Sequence, residues 1–176
     1  MTPDCSDYYA PESKFFEELA SDFSVSGKLN PEAFYLILDW KASRARTKQL
    51  KRLTDIGGSY RKAVEEIGIG LGKSQAAMDR LCLLMKAWKF NLATASAILS
   101  VLYPDEFTVY DVRVCEVLGR FTELKHRRFS EQLWSDYQKF ISAVRAKAPH
   151  GLSLRECDRW LWGADKRRVM REELGL

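Results

Sequence analysis

The sequence is poor in the residues that hold metals, iron–sulfur clusters and disulfides. Its 176 residues include four cysteines and two histidines, and none of the cysteines forms the closely spaced CxxC pair of zinc and iron–sulfur sites. Cys82, Cys115 and Cys157 stand among apolar neighbours, a setting typical of small buried hydrophobic residues. We therefore predict a chain with no metal, no cofactor and no need of a disulfide framework.

Long apolar runs are also missing. No stretch approaches the ~20 apolar residues that a helix needs to cross a bilayer. Residues 1–10 are acidic and contain no apolar run of the kind found in signal peptides. These absences predict a protein of the reducing cytoplasm that makes no contact with a membrane.

Strand signals are scarce as well. The 10 glycines and 5 prolines fall between helical stretches, and apolar residues rarely alternate with polar ones at a period of two. A composition of 46% hydrophobic and 30% charged residues is that of an ordinary globular protein, and the length fits one domain. We predict a single all-α domain over residues 1–176, which permits two helical lobes with a cleft between them.

Several helix boundaries are marked by residues with known capping preferences. Asn30-Pro31 places an amide side chain before a proline in the first turn, which predicts a helix start. Ser153 and Glu156 have the spacing of a capping box. Gly57-Gly58 predicts a break, and residues 11–13 predict the start of the first helix.

The glycine run over residues 68–72 superficially resembles a phosphate-binding loop. It lacks the Gly-Lys-Ser/Thr ending of such loops, and no strand precedes it. We therefore interpret the run as a turn that breaks the chain between a helix over 60–67 and a second helix over 73–87.

Basic residues are concentrated in two segments. The net charge of +4 permits a nucleic-acid partner without requiring one. The first segment follows Trp40 and contains Lys41, Arg44, Arg46, Lys48, Lys51 and Arg52; the second is the loop 125–128. Such segments are often only solvated faces, but their density favours contact with nucleic-acid phosphates.

Residues 88–119 contain a motif pair. Ala93-Thr94-Ala95 opens a helix after the stretch Trp88–Leu92, and Tyr110-Asp111-Val112-Arg113-Val114 opens the next helix. Asp111 lies 18 residues after Ala93. This arrangement resembles the helix-hairpin-helix DNA glycosylases over about residues 73–119, in which Lys-Thr-Ala follows a glycine-rich hairpin and Val-Asp-Thr-His-Val carries the catalytic aspartate.

The resemblance implies that Asp111 is the catalytic carboxylate. These enzymes flip a nucleotide out of duplex DNA and cut the bond between base and sugar. Their transition state resembles an oxocarbenium ion, which a nearby carboxylate stabilises. The implied partner is therefore duplex DNA with a flipped base, and the implied role is base excision in DNA repair.

Two departures from the family pattern refine this expectation. Ala93 stands where the family has the lysine that forms a Schiff base, so the resemblance implies removal of the base by water alone. Phe90-Asn91-Leu92 stands where the family has Gly-Val-Gly in the hairpin that holds a phosphate.

The residues expected to form the site fall into two groups. Tyr110, beside the aspartate, and Trp88 are the candidates for a base pocket. Trp160 and Trp162 could also stack on a base, but tryptophans at helical spacing more often belong to a core. The expected contacts to nucleic acid are Lys89, Asn91, Thr94, Arg113, Lys41, Arg44 and Arg46.

Two other functions remain open from the sequence. In the first, the same helical domain binds nucleic acid or a protein without catalysis, and Asp111 is only a helix cap. In the second, the chain is a toxin or defence protein that acts on nucleic acid. An open, positively lined cleft at Asp111 would favour the enzyme.

Overall fold

The computed structural model describes residues 15–175, and all regular elements within that range are helices. The α-helices are α1 Phe15–Ser26, α2 Pro31–Ala42, α3 Arg46–Gly57, α4 Tyr60–Lys73, α5 Ala77–Cys82, α6 Leu92–Leu102, α7 Val112–Leu118, α8 Glu131–Lys147 and α9 Leu154–Leu174. The 3₁₀ turns Ser43–Ala45 and Thr122–His126 precede α3 and α8, and the π-helical turn Leu83–Ala87 extends α5. The all-α prediction is confirmed. The helix start predicted at residues 11–13 lies outside the described residues.

The predicted helix caps are present. The Asn30 carboxamide oxygen accepts hydrogen bonds from the backbone N–H groups of Glu32 and Ala33 at the start of α2. Ser153 and Glu156 form both bonds of a capping box at the start of α9. Gly58 adopts φ 78° and ends α3, a left-handed conformation that glycine adopts without steric cost.

The glycine run 68–72 does not form the predicted turn. Helix α4 continues through it to Lys73, and the break falls at residues 74–76. Two of its three glycines pack closely against neighbouring residues. A Cβ on Gly68 would lie 3.2 Å from the backbone nitrogen of Leu29, and one on Gly70 would lie 2.7 Å from Leu83 Cδ2.

Helix α6 forms the centre of the core. Every residue of α6 except Ala93 is buried, and the helix packs against α1, α2 and α5. The residues are mostly Ala, Ser and Leu, so neighbouring helices approach closely. A helix enclosed in this way fixes the position of the hairpin before it and of the segment after it, which leads to Asp111.

No helix of the described part of the chain combines the length and the apolar character that crossing a membrane requires.

Candidate functional site

Asp111 begins α7, as the motif predicted. Its backbone is extended (φ −131°, ψ 138°) and its Oδ1 accepts a hydrogen bond of 3.0 Å from the backbone N–H of Arg113. Gly119 closes the helix in the left-handed conformation, at φ 66°. The carboxylate is therefore anchored to the backbone at one oxygen.

The second oxygen of Asp111 binds a cation from a distant part of the chain. Lys41, in the last turn of α2, places its Nζ 2.7 Å from Asp111 Oδ2. The Asp111 side chain retains 25% of its exposure, so the ion pair lies at the edge of the core. Lys41 was predicted to contact nucleic acid; the structure places it against the carboxylate.

The surroundings of Asp111 keep it ionised. Burial alone would raise the pKa of the carboxyl group, but the Lys41 ammonium and the Arg113 backbone N–H outweigh burial and hold the pKa below its ordinary value. At neutral pH the group is thus an anion with one fixed cationic neighbour.

Asp111 lines an open cleft of about 430 Å³. We call it the Asp111 cleft; its walls include Trp40, Lys41, Asp111, Arg155, Asp158 and Trp162. These residues come from α2, from the segment before α7 and from α9. The cleft has the size of a small-molecule site.

The α9 wall of the cleft was not predicted. Arg155, Asp158 and Trp162 follow one another at helical spacing, three and four residues apart, and therefore lie on one face of the helix. That spacing was visible in the sequence, but nothing local indicated that this face turns towards Asp111.

Asp158 is a second carboxyl group in the cleft, and it is buried. Its Oδ2 lies 2.6 Å from Arg155 Nη1, and the Arg155 guanidinium lies over the Trp40 ring at 4.8 Å. Burial raises the pKa of Asp158 to about 6, because it outweighs the opposing charges of Arg155 and Lys41; the negative charge of Asp111 adds to the rise.

The predicted base pocket at Tyr110 and Trp88 is corrected by the structure. Both side chains are buried in the core and neither lines the cleft. The Tyr110 hydroxyl donates to the Phe121 carbonyl at 2.7 Å, and the Tyr110 N–H donates to Ser96 Oγ at 2.9 Å. The indoles that do line the cleft are Trp40 and Trp162.

The other residues predicted to contact nucleic acid differ in their exposure and in their partners. Arg113 pairs with the buried Asp165 at 3.1 Å. Arg46 pairs with Asp39, whereas Arg44 is exposed. The prediction for Thr94 is corrected: its side chain is buried, and its hydroxyl accepts a hydrogen bond from Gln49.

Lys89 and Asn91 belong to the hairpin 88–91, which joins the π-helical turn to α6. Lys89 has φ 58°, and its carbonyl accepts a 2.6 Å hydrogen bond from Arg52. Asn91 caps α6 by accepting a hydrogen bond from the Thr94 N–H at 2.9 Å. The hairpin contains no glycine and is held by an asparagine cap and by an arginine from α3.

A second concavity of about 610 Å³ lies beside this hairpin. We call it the basic groove; the basic residues along it are Lys86, Lys89, Lys125, His126, Arg127 and Arg128. The groove and the Asp111 cleft share no lining residue.

Within residues 15–175, no group of three or more His, Cys, Asp or Glu side chains is placed to hold a metal ion. No protein-family model, curated protein or solved structure matches the chain. The features of the described residues that bear on function are therefore the cleft and the groove.

Proposed function

We propose that this protein is a DNA glycosylase that hydrolyses the bond between a flipped base and its sugar, with Asp111 as the essential carboxylate. The observation that carries the proposal is the placement of an ionised carboxylate in an open cleft lined by indoles and cations. The enzyme hypothesis predicted such a cleft at Asp111. A carboxylate that served only as a helix cap would need neither the cleft nor the ion pair with Lys41.

Hydrolysis of the bond between base and sugar requires a fixed negative charge beside the sugar. As the bond from C1′ to the base breaks, its electron pair leaves with the base and the sugar becomes cationic. Asp111 stabilises that charge, and water adds to C1′ as its proton passes to the carboxylate. The bond to Arg113 N–H and the Lys41 ion pair hold the carboxylate in place.

The walls of the cleft suit a planar base. Trp162 is 38% exposed and lines the cleft from α9. Indole surfaces stack on bases of any sequence with a gain of about 1–3 kcal/mol per base. We assign to Trp162 the stacking role that the sequence had suggested for Tyr110 and Trp88, because the Trp40 ring is already covered by the Arg155 guanidinium at 4.8 Å.

We expect water to remove the base, because a Schiff base with the sugar would need a free amine. Ala93 has no amine, and the Lys41 ammonium is held by Asp111. We therefore expect no Schiff base between enzyme and sugar. A covalent enzyme–DNA adduct trapped by borohydride would contradict this part of the proposal.

Replacement of Asp111 by asparagine tests the proposal. Asparagine caps helices as well as aspartate does, so α7 is retained while the negative charge is lost. Release of the base from duplexes that carry oxidised, deaminated or alkylated bases should fall by about 10²- to 10⁴-fold.

Asp105→Asn is the matched control, because Asp105 is exposed and its hydrogen bond with Arg145 uses only its backbone carbonyl. It should leave base release unchanged. Equal activity of Asp111→Asn and the unaltered protein would overturn the catalytic role.

The alternative is a nucleic-acid-binding domain without catalysis. The observation that favours it is the basic groove, which contains no part of the Asp111 cleft. Binding of duplex DNA without base release from any substrate of the panel would support this alternative.

A further inference from the structure

The Asp111 cleft contains two carboxyl groups in different surroundings. Asp111 retains 25% of its side-chain exposure, and each of its oxygens accepts a hydrogen bond, one from Arg113 and one from Lys41. Asp158 lines the same cleft from α9 and is only 5% exposed. Enzymes that use one carboxylate and one carboxylic acid in the same reaction place the two groups in different environments of this kind.

One oxygen of Asp158 is fixed, and the other has no partner. Oδ2 accepts a hydrogen bond of 2.6 Å from Arg155 Nη1, and the Arg155 guanidinium lies over the Trp40 ring. No residue of the described range 15–175 donates a hydrogen bond to Asp158 Oδ1. The carboxyl group therefore has a fixed orientation and one oxygen that can carry a proton.

Burial and a nearby negative charge favour the protonated form of Asp158. Removal from water destabilises a carboxylate, and Asp111 repels a second negative charge in the cleft. The attraction of Arg155 and Lys41 is smaller than the effect of burial, so the pKa of Asp158 is about 6. A carboxyl group with a pKa this close to neutral pH is suited to donate a proton there. The titratable groups that face Asp158 come from α2, the segment before α7, α8 and α9; they are Lys41, Asp111, Tyr137, Arg155 and Arg159.

The proposed reaction needs a proton donor, and Asp111 cannot be that donor. When the bond from C1′ to an uncharged base breaks, the base departs as an anion unless one of its nitrogens receives a proton. Asp111 is ionised, the Lys41 ammonium is held by Asp111, and arginines do not lose a proton in proteins. Among the described residues that line the cleft, Asp158 is the remaining acid.

The geometry points to Asp158 as the general acid that protonates the departing base. The electron pair of the C1′–N bond passes to the base as the Asp158 proton moves to a base nitrogen, and water adds to C1′ as its proton passes to Asp111. Asp158 ends the step as a carboxylate beside Arg155, and both carboxyl groups regain their starting states by proton exchange with water. This inference rests on the proposed glycosylase activity and identifies uncharged bases as its substrates.

Replacement of Asp158 by asparagine tests this assignment. Asparagine keeps the size of the side chain and can accept the Arg155 hydrogen bond, but it is not an acid. Release is measured from duplexes of one sequence that carry an uncharged base, hypoxanthine or 8-oxoguanine, or the cationic base 7-methylguanine, which leaves without protonation. We expect the variant to release the uncharged base about 10²- to 10⁴-fold more slowly and 7-methylguanine less than about tenfold more slowly.

The pH profile is a second readout, which a merely structural role of Asp158 would not change. Release of an uncharged base requires protonated Asp158, so kcat/KM of the unaltered protein should fall by about tenfold per pH unit above about pH 6. Asp158→Asn should not show this decline. Release of 7-methylguanine should not show it in either protein.

Asp165→Asn is the matched control. Asp165 is also a buried carboxyl group of α9 that pairs with arginines, but it does not line the cleft. Its replacement should change the release of both classes of base to the same extent and should keep the decline above about pH 6.

Failure of this inference and failure of the proposed function give different results. The role of Asp158 is overturned if Asp158→Asn slows both classes equally, slows neither or keeps the pH profile, or if the unaltered protein releases only 7-methylguanine; Asp111 would remain catalytic. Release of no base, or equal release by Asp111→Asn and the unaltered protein, would overturn the proposed function and the role of Asp158 with it.

Discussion

The two carboxylate oxygens of Asp111 have different partners. Oδ1 accepts from the Arg113 backbone and caps α7, and Oδ2 binds Lys41. The bond to the Arg113 backbone fixes the position of the carboxylate, and the ion pair with Lys41 lowers its pKa. An asparagine reproduces only the first, which is why it separates the structural role from the proposed chemical one.

Replacement of Lys41 by methionine should move the acid limb of the activity profile. Lys41 lowers the pKa of Asp111, so the unaltered carboxylate stays ionised as the pH falls below the ordinary range of aspartate. Without Lys41 the pKa rises, and activity should be lost at a higher pH. The measurement is kcat/KM for base release over about pH 3 to pH 8, so that the limb of the unaltered protein is included.

Lys41→Arg keeps the positive charge and should keep the acid limb near its original position. Lys48→Met removes an exposed lysine of α3 and serves as the charge control. An acid limb that does not move in Lys41→Met, or moves to lower pH, would contradict the role assigned to the ion pair.

Among the elements, the glycines of α3 and α4 differ in what surrounds them. A Cβ on Gly57 would lie 2.7 Å from the Cβ of Ala63 and 2.9 Å from its Cα, whereas a Cβ on Gly72 would meet nothing within 4 Å. Gly57 therefore has no room for a side chain, whereas Gly72 has room for one and lowers the helix propensity of α4.

We expect Gly57→Ala to lower the free energy of unfolding by about 1–3 kcal/mol. Gly72→Ala should raise it by about 0.5–1 kcal/mol, because alanine favours a helix over glycine by that amount. Urea unfolding of both variants provides the measurement. Destabilisation by Gly72→Ala would mean that this end of α4 is not helical.

Local signals explain which elements the sequence could predict. Caps such as Asn30, Ser153 and Asp111 act within a few residues, so their positions could be read directly. The run 68–72 carries the composition of a turn, but it lies within α4, where Gly68 and Gly70 pack closely against Leu29 and Leu83.

In the candidate site, too, local features could be predicted from the sequence, whereas contacts between distant residues could not. Asp111 could be placed from its motif, but its partner Lys41 lies 70 residues away in the sequence. Tyr110 was adjacent to the aspartate and suggested a pocket, yet the backbone turns its ring into the core. Neighbours across helices are set by tertiary packing, which sequence spacing does not encode.

At the scale of the whole molecule, α9 ties the site to the rest of the fold through buried carboxyl groups. Asp165 pairs with Arg113 of α7 at 3.1 Å and with Arg168 at 2.7 Å. Asp158 pairs with Arg155 and lines the Asp111 cleft. Global stability and the electrostatics of the cleft therefore share residues.

Asp158 should make stability depend on pH. Its pKa is about 6 in the folded chain and about 3.9 when unfolded. The folded state binds the extra proton between these values, so this contribution to stability falls as the pH rises from about 4 to about 6, by up to about 3 kcal/mol in total.

Asp158→Asn removes this titration while other carboxyl groups remain. The free energy of unfolding of the unaltered protein, relative to that of the variant, should therefore decline over the same interval and level off above it. Urea unfolding at half-unit steps of pH measures the difference. A difference that is constant with pH, or that increases, would contradict the raised pKa.

The Lys41–Asp111 pair also affects how relatives of this chain could be judged. Because Asp111 caps α7, selection for folding alone would preserve it in a descendant that had lost all activity. Among the described residues, the Lys41 ammonium forms its ion pair with that carboxylate alone, so folding has less reason to retain it. Lys41 would then be a better marker than Asp111 of whether a related protein retains the proposed activity.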